Sequence, residues 1–180
     1  LEQCRQDKVI TNLGLTNFNS DHLRVVLESG IRITTNQVSF SLLDRRAAGR
    51  MTELCLDRGI KILAYGTLCG GFLTDKWVGL PEPSVSEITD WSKMKYKRFI
   101  EAFGGWEKFQ VLLKTLSRIA RKHGVSIANV ATRWVIEQPA VGAVIVGARL
   151  GEREHRLNNL ELFSFSLDSD DYEMIESGLS

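Results

Sequence analysis

The sequence predicts an α/β protein built on a parallel sheet, and three observations carry that prediction. Four short apolar runs rich in β-branched residues alternate with amphipathic helical stretches, the pattern of βα units whose strands lie parallel. No GxGxxG follows the opening strand, so the phosphate fingerprint of a doubly wound dinucleotide sheet is missing. Small and polar residues collect where each run ends, at Thr16-Asn17, Gln37, Tyr65-Gly66-Thr67 and Gly147-Ala148-Arg149. Four units fit either a small doubly wound sheet or one half of an eight-fold (β/α) barrel. The barrel gathers all four strand ends on a single functional face.

The elements follow in order. Val9 to Leu15 reads as a short strand that ends in a loop at Thr16 to Asn19. Ser20-Asp21 caps a helix with Leu23, Val26 and Leu27 on its apolar side, stopped by Gly30. Ile31 to Leu42 is the second strand. Arg50 to Arg58 is helical, with Met51, Leu54 and Cys55 at i, i+3, i+4 and Gly59 closing it. Ile60 to Tyr65 is the third strand. A long segment, 76–103, holds Pro81 and Pro83 and shows no clean period; it reads as a loop with a short helix around Met94 to Ala102. Trp106 to His123 is a long amphipathic helix ended by Gly124. Ser126 opens the next, Ile127 to Gln138, and Pro139 follows it. Ala143 to Val146 is the fourth strand, Glu152 to Leu162 is helical, and a tail over 164–180 carries a helix from Ser169 to Ser177 with an acidic first turn.

Length and composition bound the function. A chain of 180 residues, 43% hydrophobic and 25% charged, is one domain with a real core. A net charge of +1 gives no nucleic-acid footprint and no acidic partner. No apolar run is long enough to span a membrane. LEQCRQDKVI puts charges where a secretory signal needs an apolar stretch, and the first residue is not Met, so the chain is expected to be a processed or excised piece. Cys4, Cys55 and Cys69 are odd in number and lack metal-ligand spacing. They fit reduced thiols in a cytoplasmic compartment, and no metal is expected.

Several residues read more plainly as structure than as function. His22 and His123 fall on helix surfaces, and Trp77, Trp91, Trp106 and Trp134 read as core or loop anchors. Glu152, Arg153, Glu154 and Arg156 read as a solvated helix face. The stretch LAYGTLCGGFLTDKW is different. A turn needs one or two glycines, and Gly66, Gly70 and Gly71 cluster where a buried strand stops. Such a backbone lets something approach closely.

Taken together, these strand ends resemble the C-terminal half of the aldo-keto reductases. LGLTNF (13–18) is similar to that family's I-G-[VL]-S-N-F, NQVSFSLL (36–43) to N-Q-x-x-Y-[SN]-L, and AYGTLCGGFLT (64–74) to A-Y-S-P-L-G-x-G-x-L-[TS]. VIVGAR (144–149), after VSIANVATRWVIEQPAV, resembles the eighth strand and the helix before it. Each motif alone is weak; four in order and at proper spacing cover nearly the whole chain. The resemblance implies strands five to eight of a (β/α)8 barrel and a nicotinamide cofactor. Thr16, Asn17 and Gln37 then hold the carboxamide, for which Asn and Gln offer both donors and acceptors. Tyr65 stacks on the nicotinamide ring. Gly66, Thr67, Leu68, Gly70 and Lys76 match the segment around the pyrophosphate, where the glycines admit the anion and Lys76 adds a charge. Gly147 and Arg149 match the neighbourhood of the adenosine 2′-phosphate, and His155, Asn158 and Asn159 the helix at the adenine end. Thr67 replaces the family's usual Pro, Gly66 its Ser, and Asn158 an acidic residue. Arg149, with no acidic residue at Gly147 or Ala148, implies NADP(H) over NAD(H).

The same resemblance implies what is missing. The family's catalytic Asp, proton-donating Tyr, Lys and His lie in the first four units, and no segment here matches them. Two function classes follow. One is an NADP(H)-dependent carbonyl reductase acting on a small carbonyl substrate, of which this chain carries the hydride-carrier site without the acid. The other is a truncated, non-catalytic half barrel that binds nucleotide or a protein partner. On either, the two open strand edges favour self-association.

Overall fold

The computed structural model describes residues 1–88, 91–147 and 156–180. Its sheet has four strands, β1 (Gly14–Thr16), β2 (Thr35–Ser39), β3 (Lys61–Tyr65) and β4 (Val141–Ile145), in the order β1-β2-β3-β4. All three pairings are parallel. That order decides between the two architectures the sequence allows. A doubly wound sheet reverses its strand order at a switch point, where its ligand sits; a barrel never does. Here each strand lies beside the next in sequence, as in a barrel segment.

The burial pattern agrees with one covered face. Asn36, Val38, Ile62 and Ala64 are buried under the helices, while Thr35, Gln37, Leu63 and Tyr65 on the opposite face are half-buried. Strands covered on both faces read as continuous apolar runs, and these alternate instead. The register slips between Ile62 and Leu63, whose partners are Val141 and Ala143. Gly142 falls in the slip, with the Lys61 side chain packed so close that a Cβ there would lie 2.9 Å from it.

The helices are α1 (Glu2–Gln6), α2 (Ser20–Glu28), α3 (Arg50–Asp57), α4 (Trp91–Phe103), α5 (Trp106–His123), α6 (Ile127–Ile136), α7 (Arg156–Leu160) and α8 (Ser169–Leu179). α5 runs as its period predicts, with Phe109, Leu112, Leu113, Leu116 and Ile119 fully buried and Gly124 in the left-handed region at its end. Trp134 of α6 sits at the centre of the core, edge-on to Phe40 at 5.8 Å, with the Arg45 guanidinium 5.4 Å from its ring.

Several expected boundaries are corrected. Only Gly14–Thr16 of the apolar run from Val9 pairs as strand, because the ladder to β2 begins at Gly14 and Thr35; the short helix α1 precedes it. β2 covers five residues of the expected twelve, and β4 starts at Val141 rather than Ala143. α6 ends at Ile136, two residues before its expected end. The N-cap of α2 is Asn19, whose Oδ1 accepts from the His22 N–H at 2.8 Å. α4 is thirteen residues long, and the segment before it is pinned to α5. Trp106 donates to the Leu80 carbonyl, Gln110 donates to that of Trp77, and the Gly79 N–H donates to Gln110. Trp77 and Trp106 meet edge-to-face at 5.8 Å. Trp91 is 80% exposed and anchors nothing. Among the described residues no helix is long and apolar enough to cross a membrane.

His123 is also not the free surface histidine its helix position suggests. Its Nε2 lies 2.7 Å from Oδ2 of the buried Asp171, whose other oxygen accepts from Lys122 at 2.9 Å. Asp171 also completes a capping box with Asp168 at the start of α8. One carboxylate thus caps α8 and clamps it to the end of α5. Burial pushes the Asp171 carboxyl up, but Lys122, His123 and the Asp168 backbone hold it below the ordinary range. Asp44, buried beside Arg46, is likewise lowered. A carboxylate whose pKa is lower folded than unfolded contributes stability that is full above the unfolded pKa, about 3.9, and is lost as pH falls through the folded one. The urea midpoint is therefore expected to drop as pH falls below about 4, and Asp171→Asn to lessen that drop. An unchanged pH profile in the variant would show that the clamp is energetically silent.

Candidate functional site

Three strand ends meet at one place. Asn17, just past β1, has φ +60°, a left-handed conformation that Asn tolerates better than most residues. That turn lets its N–H donate to the Gln37 carbonyl at 2.8 Å. Its side-chain Oδ1 accepts from the Tyr65 hydroxyl, also at 2.8 Å. A bond therefore crosses from the first strand to the third over the end of the second. Thr16 pairs in register with Gln37, and Gln37 with Leu63. Gln37 is half-buried, and its amide makes no hydrogen bond among the described residues. Amide donors and acceptors held at an aromatic face suit a flat, polar ring.

The face of Tyr65 has a neighbour that sequence reading missed. Lys95 of α4 places its ammonium 5.6 Å from the Tyr65 ring and 5.2 Å from that of Tyr96, within reach of a cation–π attraction. Arg46 is a second such residue. Its guanidinium grips Asp44 with two bonds of 2.7 Å and lies over Phe99 of α4 at 5.5 Å. Lys95 comes from α4 and Arg46 from the connection after β2, neither of them a strand end. The only trace of them is charge: Arg46 directly after the second apolar run, and Lys95 in a basic stretch of a segment without period.

The glycine cluster has an occupant of its own. Gly66, Gly70 and Gly71 all have positive φ, and Tyr96 packs directly on the first two. A Cβ on Gly66 would run into the Tyr96 hydroxyl, and one on Gly70 would lie 2.8 Å from its ring. The close approach that the glycines were expected to grant an anion is made here by a tyrosine of the chain itself. Burial pushes the Tyr96 phenol up, with Cys69, Tyr65 and Asp44 adding to it. Thr67 is buried and Leu68 half-buried beneath. Cys69 is buried too, its Sγ 3.2 Å from the Ser41 hydroxyl, and burial pushes its thiol up to about 12. Such a thiol stays protonated and inert.

The remaining predicted residues do not join the Asn17–Tyr65 pair. Lys76 is exposed, with its ammonium 5.0 Å from the ring of Trp77. Gly147 lies two residues beyond β4. Asn158 donates to Glu161 at 2.9 Å, which also accepts from Asn129, and Asn159 is half-buried beside it on α7. Arg149 and His155 lie outside the described residues, as do Glu152, Arg153 and Glu154. Among the described residues, no three His, Cys, Asp or Glu side chains come together as a metal site.

Comparison with known proteins adds to this geometry. Residues 1–179 match the Aldo/keto reductase family model. Flagellar radial spoke protein 5 of Chlamydomonas reinhardtii is 37% identical over 134 residues, covering 73% of this chain and 25% of that protein. The aldo-keto reductase YhdN of Bacillus subtilis is 26% identical over 175 residues, covering 93% and 48%. Protein tas of Escherichia coli is 31% identical over 146 residues, covering 81% and 40%. The chain thus spans between a quarter and a half of these relatives. In fold it is similar to a glycerol dehydrogenase from Gluconobacter oxydans, with a TM-score of 0.80, 23% identity, and coverage of 99% of this chain and 51% of that one.

Proposed function

Because this chain belongs to the aldo/keto reductase family, we propose that it is the cofactor-holding C-terminal half of a barrel that reduces carbonyl compounds with NADP(H). One observation carries the reading: Tyr65 is bonded to Asn17 across the strand ends, and Gln37, on the strand between theirs, has an amide with no hydrogen bond among the described residues. The relatives' length supports the half-barrel part, since the glycerol dehydrogenase is matched over 51% of its chain. So does a sheet with both edges, β1 and β4, unpaired.

In this reading the bound cofactor supplies the hydride that the carbonyl carbon accepts. The chain's own residues orient it. Tyr65 offers its ring face to the nicotinamide. Asn17, fixed by its backbone turn and by the Tyr65 hydroxyl, and Thr16 and Gln37 hold the carboxamide, so that one ring face is turned to the substrate. The resemblance assigns the segment from Gly66 to Lys76 to the pyrophosphate, with Tyr96 now beside its glycines, and Gly147, Arg149, His155, Asn158 and Asn159 to the adenosine end. The proton for the carbonyl oxygen comes from outside this chain, and the 180 residues alone are expected to reduce no aldehyde. The protein works in the cytoplasm, apart from membranes and nucleic acid, and its open edges pair with the other half or with a second copy.

Cofactor choice tests the reading. Arg149→Ala is expected to weaken NADPH binding by about 1.5–3 kcal/mol, the scale of a lost charged hydrogen bond, and to leave NADH nearly unchanged. Titration by nicotinamide fluorescence measures both. Equal losses for the two cofactors would make Arg149 a pyrophosphate or structural residue, and no binding of either would sink the proposal.

A second reading has its own support in the 37% identity to a flagellar radial spoke protein. On it, the half barrel is a docking module without chemistry. The native reading frame discriminates: an upstream segment carrying D-x-x-x-x-Y and a strand-borne Lys favours the reductase, and an initiating Met at the start of this chain favours the module.

A further inference from the structure

The ends of β1 and β2 and the start of α3 enclose a cleft of about 520 Å³, a size that takes a small organic ligand. Asn17 and Tyr65 form one wall. Phe18 and Met51 make it partly apolar, and Arg46 and Arg50 reach into it from the β2–α3 connection. The cofactor reading gives neither arginine a role.

Their settings differ in a useful way. Arg46 uses Nε and Nη2 on Asp44, a carboxylate with only 1% of its side chain exposed, while its own side chain is 74% exposed. The buried acid and the Phe99 ring hold the guanidinium plane fixed, and Nη1 donates no hydrogen bond among the described residues. A rigid guanidinium with unused donors is pre-organised for an oxyanion. Among the described residues Arg50 pairs with Asp21 alone, at 3.1 Å, and both side chains are more than two-thirds exposed. Such a surface pair is worth little and yields readily to a better partner. Arg45, the residue before Arg46, turns the other way onto Trp134 and Glu176. The two carboxylates facing the cleft arginines are thus Asp44, fully engaged, and Asp21, weakly so. Lys95 adds a third cation at the face of Tyr65.

We propose that this cleft is a subsite for an oxyanion, a carboxylate or phosphate at the far end of the carbonyl substrate, held by Arg46 and Arg50. The substrate class, resting on the reductase reading, is an aldehyde or ketone that bears an acid group. The apolar wall of Phe18 and Met51 takes the connecting carbons, and Asn17 and Tyr65 mark the end where the carbonyl lies.

Calorimetric titration of the full chain tests this without turnover. The probes are 4-(hydroxymethyl)benzoate, benzyl phosphate and the neutral 4-methylbenzyl alcohol. At least one anion is expected to bind about tenfold more tightly than the alcohol, the step that one charged hydrogen bond provides, and less so at high salt. The tighter anion names the group. Arg50→Gln is expected to remove most of the preference. It is the decisive variant, because its partner is exposed, whereas Arg46→Gln strips a buried carboxylate of its ion pair. Equal binding of anion and alcohol, no binding of any probe, or an undiminished preference in Arg50→Gln overturns the subsite. Loss of carbonyl reduction in the full protein with the anion preference intact overturns the reductase reading alone.

Discussion

Gly66→Ala is expected to destabilise the protein by about 2–5 kcal/mol, and Tyr96→Phe to restore part of that loss. Two effects add. Gly66 sits at φ +70°, where any other L-residue costs roughly 1–2 kcal/mol. The new methyl would also strike the hydroxyl of Tyr96, a ring only 6% exposed and therefore unable to swing away, and forced overpacking costs about 1–3 kcal/mol. Removing that hydroxyl relieves most of the second effect, leaving tight contacts with Cζ and Cε1 at 3.0 and 3.2 Å, and leaves the first. Gly70→Ala is the internal control. Its methyl would meet the ring carbon Cδ2 at 2.8 Å, which Phe keeps, so Tyr96→Phe should not rescue it. A double-mutant cycle by urea denaturation reads the difference directly. Equal rescue at both glycines, or none at either, would mean that Tyr96 is not what the glycines accommodate.

Trp134→Ala is expected to cost about 3–5 kcal/mol, the range for truncating a buried large aromatic. The indole is 1% exposed, edge-on to the fully buried Phe40, and covered by the Arg45 guanidinium. It therefore joins the helix layer to the connection after β2. Trp134→Phe should cost far less, about 1–2 kcal/mol, because a ring still fills most of the space and the indole N–H has no hydrogen-bond partner to lose. Thermal unfolding followed by circular dichroism distinguishes the two. If Ala and Phe were equally harmful, the loss would lie in a contact specific to indole rather than in volume.

How legible all this was depends on distance along the chain. α5 could be read nearly to the residue because its signal is local: buried residues at i, i+3, i+4 and a glycine stop. The strands were overextended because β-branched runs say what can pair, while the ladder between Gly14 and Thr35 says what does. α4 was underread because Lys93, Lys95, Lys97 and Arg98 mask the buried pair Tyr96 and Ile100, four residues apart. At the site, Thr16, Asn17, Gln37 and Tyr65 announce themselves as polar or aromatic residues at strand ends. Arg46, Lys95 and Tyr96 do not, since each reaches the site from a connecting segment. His123 looked like a surface residue because its partner, Asp171, is 48 positions away.

The neighbour-to-neighbour order of the strands has a kinetic consequence. Each strand pairs with the one before it, so β1–β2 and β2–β3 form through short loop closures, which are entropically cheap and fast, while β3–β4 must close over the whole stretch that holds α4, α5 and α6. α8 adds long closures of its own. Its Asp171 must find Lys122 and His123, and its Glu176 must find Arg45, 131 positions away. During synthesis the strands and α5 leave the ribosome before that helix exists. Docking of α8 follows them, and until it happens the end of α5 waits with a lysine and a histidine unmatched.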